Sequence, residues 1–247
     1  MKTPVKFFVL FLALSAAIFT GCTKDDDTPE DTTSSTNEFS FDDSFGIFVA
    51  VKSVTTQTVG GFTIPIEVNT ATAAFMESAG STSMVDGGDV TLNSMSLKKV
   101  QNNAYVYDDF LNPLDFGTVT WTAAGNGSVP AINKTVSRGF PSFSGSESLP
   151  ASVSKATGLS ISLSGKVSNA DSVLVVILSN NKSAYKIVAG NAASVNFSST
   201  DLSGVEASSA GLVTVSPYNI SSETISSKKY YFINETVYSK ANVNITQ

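Results

Sequence analysis

The feature that most constrains the fold is a succession of short strand-like segments that begins at Phe39 and continues to the C-terminus. Apolar or alternating segments, among them 46–54, 159–163 and 172–178, are separated by Gly, Asn, Ser and Pro. Such segments at intervals of about 8–12 residues are typical of β-sandwiches. The longest helix-like segment, 70–78, is short and reads equally well as a strand. We therefore expect an all-β chain.

The alternation within single segments indicates which side chains face the interior. In residues 117–122, Val119 and Trp121 share one face of a strand, and Thr120 lies on the other, solvated face. Trp121, the only tryptophan, is best interpreted as a core anchor, and the alternative is a platform on which a sugar stacks. The apolar run 172–178 predicts a central strand that is covered on both faces.

The strand segments fall into two sets, and the glycines and proline of 138–145 predict a junction between them. We expect two tandem, immunoglobulin-like β-sandwich domains, an architecture that needs no disulfide. The alternative is one larger β-sandwich with a long excursion. The last segments are predicted as separate strands at 211–215, 229–233 and 237–245. The expected boundaries are 1–21 for a signal peptide, 22–38 for an acidic Ser/Thr-rich tether, 39–142 for the first domain and 143–247 for the second.

The composition excludes several classes of chemistry. The chain has no histidine and one cysteine, so it has no Ser-His-Asp or Cys-His nucleophile system, no histidine metal ligand and no internal disulfide. Arg138 is the only arginine and the net charge is −6, which excludes a basic nucleic-acid footprint. We expect no cofactor, no metal, no catalytic residue and no nucleic-acid partner.

The N-terminus has the pattern of an exported lipoprotein. Lys2 and Lys6 precede the apolar run 7–20, which is shorter than the roughly 20 residues that a membrane-spanning helix needs. Gly21 and Cys22 follow, and the segment 19–22 resembles the lipobox of bacterial lipoproteins. The resemblance implies that the Cys22 thiol receives a diacylglyceryl group. It also implies a membrane partner through that lipid anchor.

Lys24, Asp25, Asp26 and Asp27 come directly after this cysteine. A lysine and acidic residues at this position resemble the lipoprotein export signal of Bacteroidetes. The resemblance implies an outer-membrane protein that faces the cell exterior. The alternative is a solvated acidic linker without a sorting role.

The body of the chain also resembles uncharacterised two-domain lipoproteins of Bacteroidetes. The resemblance rests on the segment 88–93, a tyrosine strand, the segment 119–130 and an immunoglobulin-like second half. No catalytic residues accompany this pattern.

We therefore expect a non-enzymatic, lipid-anchored envelope protein that presents β-sandwich modules for binding or adhesion. The alternative is a glycan-binding accessory lipoprotein of a polysaccharide-uptake system, for which Tyr105, Tyr107 and Trp121 are the candidate ligand contacts. The glycan hypothesis gains if Tyr105 and Tyr107 share an open face, and it fails if both are buried. Asp86 and Asp89 suggest a calcium loop, although a hairpin turn explains them better.

Overall fold

The computed structural model describes residues 30–31, 40–59, 62–109 and 111–247. The described chain is all-β, as the sequence predicts, with two short 3-10 turns at Gln101–Asn103 and Ser146–Ser148. The strands, numbered in chain order, are β1 (Glu30–Asp31), β2 (Ser44–Val59), β3 (Phe62–Met76), β4 (Met84–Val85), β5 (Val90–Leu92), β6 (Met95–Ser96), β7 (Lys98–Lys99), β8 (Tyr105–Tyr107), β9 (Val119–Ala123), β10 (Ile132–Val136), β11 (Ser142–Phe143), β12 (Ser152–Ser154), β13 (Leu159–Ser162), β14 (Val167–Ser168), β15 (Ser172–Ser179), β16 (Lys182–Ala189), β17 (Ser194–Phe197), β18 (Ser208–Ile225) and β19 (Lys228–Thr246).

One large sheet runs through the described chain. Its order is β1-β16-β15-β18-β19-β2-β3-β8-β7, with β12 beside β19 and β4 beside β3. β18 and β19 form a long hairpin whose turn residues, Ser226 and Ser227, both have positive φ (51° and 62°). Positive φ at both central residues is the requirement of a tight two-residue hairpin turn. β19 then pairs in parallel with β2, so the last strand lies beside the first long strand.

Two hydrophobic cores lie against one face of this sheet. Core 1 is closed by the four-stranded sheet β10-β9-β5-β6, and core 2 contains residues of the two-stranded sheets β11-β14 and β13-β17. The largest buried side chains of core 1 are Phe48, Phe75, Tyr105, Trp121, Tyr230 and Phe232. Core 2 is built around Phe143, Leu163, Val173, Val175, Phe197, Val213 and Val243.

The opposite face of the large sheet carries a third cluster of buried apolar side chains. It contains Ile47, Val49, Val51, Leu174, Val176, Tyr185, Ile187, Tyr218, Ile233 and Val237. Successive side chains of a strand point to opposite faces. β15 therefore gives Val173 and Val175 to core 2 and Leu174 and Val176 to the third cluster, which confirms a central strand buried on both faces.

The final hairpin serves both cores. Tyr230 and Phe232 of β19 pack in core 1, whereas Val243 and Ile245 of the same strand pack in core 2. The expected boundary near 142 and the single-sandwich alternative remain predictions. What the structure adds is that core 1 is completed by residues from the far end of the chain.

Candidate functional site

The three aromatic residues that the sequence offers as ligand contacts lie inside core 1. Tyr105 is 2% exposed, Tyr107 4% and Trp121 0%. The reason is the strand alternation, which turns all three side chains toward Phe48 and Phe75. A ligand in solution does not reach these rings, so the contact role expected for them is corrected to a role in the core. The interpretation of Trp121 as a core anchor is confirmed.

The Tyr105 hydroxyl nevertheless makes a specific contact at the rim of the core, where it donates to Asp86 Oδ1 at 2.6 Å. The same carboxylate accepts hydrogen bonds from Gly88 N at 3.0 Å, Lys99 Nζ at 3.0 Å and Asn126 Nδ2 at 3.1 Å. These donors, with Tyr105 first, hold the pKa of Asp86 far below its usual range. Burial and this carboxylate raise the pKa of Tyr105 to about 12. Asp86 therefore ties its own loop to β7, to β8 and to the loop between β9 and β10.

Tyr107 holds the next loop in a similar way, because its hydroxyl donates to the Asn112 carbonyl oxygen. Asp109 accepts from the Leu111 amide at 3.1 Å and from Asn112 Nδ2 at 2.7 Å, and the Asn112 side chain is the main cause of its lowered pKa. Among the described residues, no group of three or more His, Cys, Asp or Glu side chains is placed to hold a metal ion. The acidic loops contact their own backbone and neighbours instead.

The predicted junction is a docked linker with a defined structure. Arg138 Nη1 lies 2.7 Å from both carboxylate oxygens of Asp171, and Arg138 Nε donates to Asn169 Oδ1 at 3.0 Å. Asn169 in turn donates to the Gly139 carbonyl oxygen at 2.7 Å. The single arginine thus fixes the linker to the start of β15.

A belt of buried polar side chains crosses β18 and β19 where this linker docks. We call Ser216, Asn219, Asn234, Glu235 and Thr236 the polar belt; all five are 3% exposed or less. Asn234 and Thr236 donate to the carbonyl oxygens of Arg138 and Pro141, each at 2.7 Å, and Asn219 donates to that of Gly139 at 2.8 Å. The belt thus donates hydrogen bonds to carbonyl oxygens of the linker. It also lies between the part of β19 that packs in core 1 and the part that packs in core 2.

Glu235 differs from Asn219, Asn234 and Thr236 because it makes no hydrogen bond to the linker. It is 0% exposed, and neither carboxylate oxygen has a hydrogen-bond partner among the described residues. It points away from the linker, into the third cluster, with Tyr218 on one side and Val51 on the other in the sheet register. Burial raises its pKa well above the usual range, and the nearby Ser216 hydroxyl lowers it by less.

The sequence predicts a break where the polar belt lies, between 229–233 and 237–245, but β19 is continuous from Lys228 to Thr246. The physical reason is that Asn234 Nδ2 and the Thr236 hydroxyl donate to linker carbonyl oxygens, so the polar triplet 234–236 does not have to leave the sheet. The signal that could have identified the belt is this triplet between two apolar runs. Similarly, the segment 211–215 is part of the longer strand β18.

The N-terminal predictions fall on residues that the structure does not describe. Cys22, Lys24, Asp25, Asp26 and Asp27 all lie outside the described ranges. Within those ranges there is no helix long and apolar enough to cross a membrane. Comparisons of the chain with protein-family models, curated proteins and solved structures found no match.

Proposed function

We propose that this chain is a non-enzymatic, lipid-anchored protein of the cell envelope that presents β-sandwich modules for binding or adhesion. The observation that carries the proposal is the sequence 19–27, in which the only cysteine of the chain follows an apolar run and precedes a lysine and three aspartates. The proposed location is the outer membrane, with the β-sandwich body on the exterior side. The all-β body behind this segment supports a display role.

The contacts of the ionisable side chains also support a display role rather than a catalytic one. An enzyme needs groups that are poised to move protons or attack a substrate. Asp86 and Asp109 are engaged by neighbouring donors, and Asp171 is paired with Arg138. These carboxylates hold loops and the linker in place.

The glycan-binding alternative loses the residues on which it rested. Tyr105 and Tyr107 are both buried, and so are Trp121, Tyr218 and Tyr230. Stacking on sugars requires ring faces that solvent can reach. A second protein of the envelope is therefore the partner class that we favour.

The anchor is tested by metabolic labelling of cells with an alkyne-bearing fatty acid. The wild-type chain is expected to take up the label and Cys22→Ala to lose it, because no other cysteine is present. Thr23→Ala is the matched control and should keep the label. Label retained by Cys22→Ala, together with unchanged membrane attachment, would contradict the lipoprotein proposal.

The export signal is tested separately with external protease on intact cells. Replacement of Lys24 by Ala and of Asp25, Asp26 and Asp27 by Asn should preserve lipidation but protect the chain from protease. Equal digestion of variant and wild type would show that this segment does not direct export.

The glycan-binding alternative is tested with a glycan array that is probed with the full-length chain in mild detergent. The array is expected to be negative, and reproducible binding would favour the alternative function.

A further inference from the structure

We propose that Glu235 is a proton-controlled latch at the place where the two cores meet: the linker is docked while the carboxyl is neutral and is released when it ionises. The inference goes beyond the proposed function, since it concerns the β-sandwich body and holds with or without a lipid anchor.

The position of Glu235 is the first argument. It lies in the middle of β19, between the stretch that packs in core 1 and the stretch that packs in core 2. Its neighbours in register are Val51 of β2 and Tyr218 of β18. A change at this point therefore acts on the strand that both cores share.

The surroundings of the carboxyl are the second argument. β18 contributes Tyr218 and Ser216, β2 contributes Val51, and β19 itself contributes Ile233 and Val237. None of these side chains carries a positive charge. The Ser216 hydroxyl offsets only part of the cost of burial, and an ionised carboxylate that is buried without a cation is strongly unfavourable, so the docked linker requires the protonated form of Glu235.

Among the described residues, the charged groups nearest to this face on β19 and β2 make ion pairs or hydrogen bonds with other side chains. Tyr231, four residues away on β19, donates to Asp43 Oδ1 at 2.6 Å, and Lys229 Nζ lies 2.9 Å from Asp43 Oδ2. Lys52 of β2 lies on the opposite face, where it pairs with Glu67 at 3.4 Å. Tyr185 of β16 belongs to the same cluster.

The coupling to the linker follows from the alternation of β19. Asn234 and Thr236, on either side of Glu235, face the other way and hold the carbonyl oxygens of Arg138 and Pro141. An ionised Glu235 must reach water, and because the side chain is 0% exposed we expect a local displacement of β19 at the belt to provide this access. That movement withdraws Asn234 and Thr236 from the linker.

The composition makes such a latch easy to detect. The chain has no histidine, so no side chain with an ordinary pKa titrates between about pH 5 and 8. Few other groups could therefore make linker docking depend on pH in that interval.

The experiment uses an arginine-specific protease on the full-length chain, because Arg138 is the only arginine and lies in the linker. Cleavage rates of wild type and Glu235→Gln are measured side by side between about pH 6 and 8, and their ratio cancels the pH response of the protease. The ratio should rise with pH, by up to about tenfold per pH unit, because opening releases one proton. Glu223→Gln on β18 is the matched control: it removes a half-exposed carboxylate that pairs with Lys134 at 2.6 Å, and it should show a ratio to wild type that does not depend on pH.

A lysine-specific protease distinguishes local opening from global unfolding. Cleavage at Lys186, within β16, should not change with pH in parallel with cleavage at Arg138. A pH-independent ratio at Arg138, or a parallel rise at Lys186, would overturn the latch. If Glu235→Gln does not fold, Glu235→Met provides the reference, since it also has no titratable group and suits an apolar face.

Discussion

Phe232→Ala tests whether the final hairpin completes core 1. Phe232 is 0% exposed, and its ring stacks on Phe48 with centroids 4.9 Å apart and planes 14° from parallel. It belongs to β19, yet its neighbours come from the first half of the chain. The substitution therefore removes a contact that spans most of the sequence.

The expected loss follows from the buried volume. Truncation of a buried phenylalanine to alanine costs about 3–5 kcal/mol in the free energy of unfolding. That range includes the roughly 0.5–1.5 kcal/mol that a pair of stacked rings contributes beyond burial. Because domains are stable by only about 5–15 kcal/mol, the variant should unfold at a much lower urea concentration.

The assay uses two probes with different positions. Fluorescence of Trp121, the only tryptophan, reports on core 1, and far-UV circular dichroism reports on strands throughout the chain. Phe197→Ala in core 2, at 3% exposure, is the matched variant. Since β18 and β19 pass through both cores, each substitution should shift both probes to the same lower midpoint.

Two results would refute this reasoning. If Phe232→Ala leaves the Trp121 midpoint unchanged, Phe232 is not part of core 1. If Phe197→Ala shifts the dichroism but not the fluorescence, the shared hairpin does not couple the cores, and two independent domains describe the chain better.

Three further predictions follow from the same contacts. A fragment of residues 40–142 should remain unfolded alone, because it lacks Phe232 and Tyr230, and dispersed amide signals in its NMR spectrum would contradict this. Asp86→Asn should lower the melting temperature at pH 7, and the gap to wild type should narrow progressively as the pH falls below about 4, since a lowered pKa stabilises the fold only while the carboxyl is ionised in the folded state. Asn219→Ala should cost about 1–3 kcal/mol in urea unfolding, because it removes the hydrogen bonds that Asn219 Nδ2 donates to the carbonyl oxygens of Gly139 and Asn169, and a loss below about 0.5 kcal/mol would show that the linker is satisfied otherwise.

Local sequence patterns are sufficient for the all-β fold class and for the burial pattern of single strands. The alternation around Trp121 and the apolar run of β15 predict their burial correctly, because side-chain direction in a strand has a period of two. The same rule places Tyr105 and Tyr107 on one face but does not say whether that face is open. The tertiary structure shows that this face is closed, because the Tyr105 ring of β8 packs against the Phe75 ring.

Long-range pairing is what the sequence did not reveal. β19 lies beside β2, with Tyr230 paired with Gly46, and no local feature of either segment indicates this partner. The sequence predicts a break at the polar belt for the same reason, since Asn234 Nδ2 and the Thr236 hydroxyl donate to carbonyl oxygens almost a hundred residues away. Glu235 stands out only when its burial is known.

The parallel pairing of β19 with β2 sets the order in which the chain can fold during synthesis. β2 and β3 emerge early, but the strand that flanks β2 and supplies Tyr230 and Phe232 is the last to appear. Contacts between such distant segments form late, after the entropic cost of closing the intervening loop has been met. The first half of the chain therefore cannot complete its core until β19 has been synthesised.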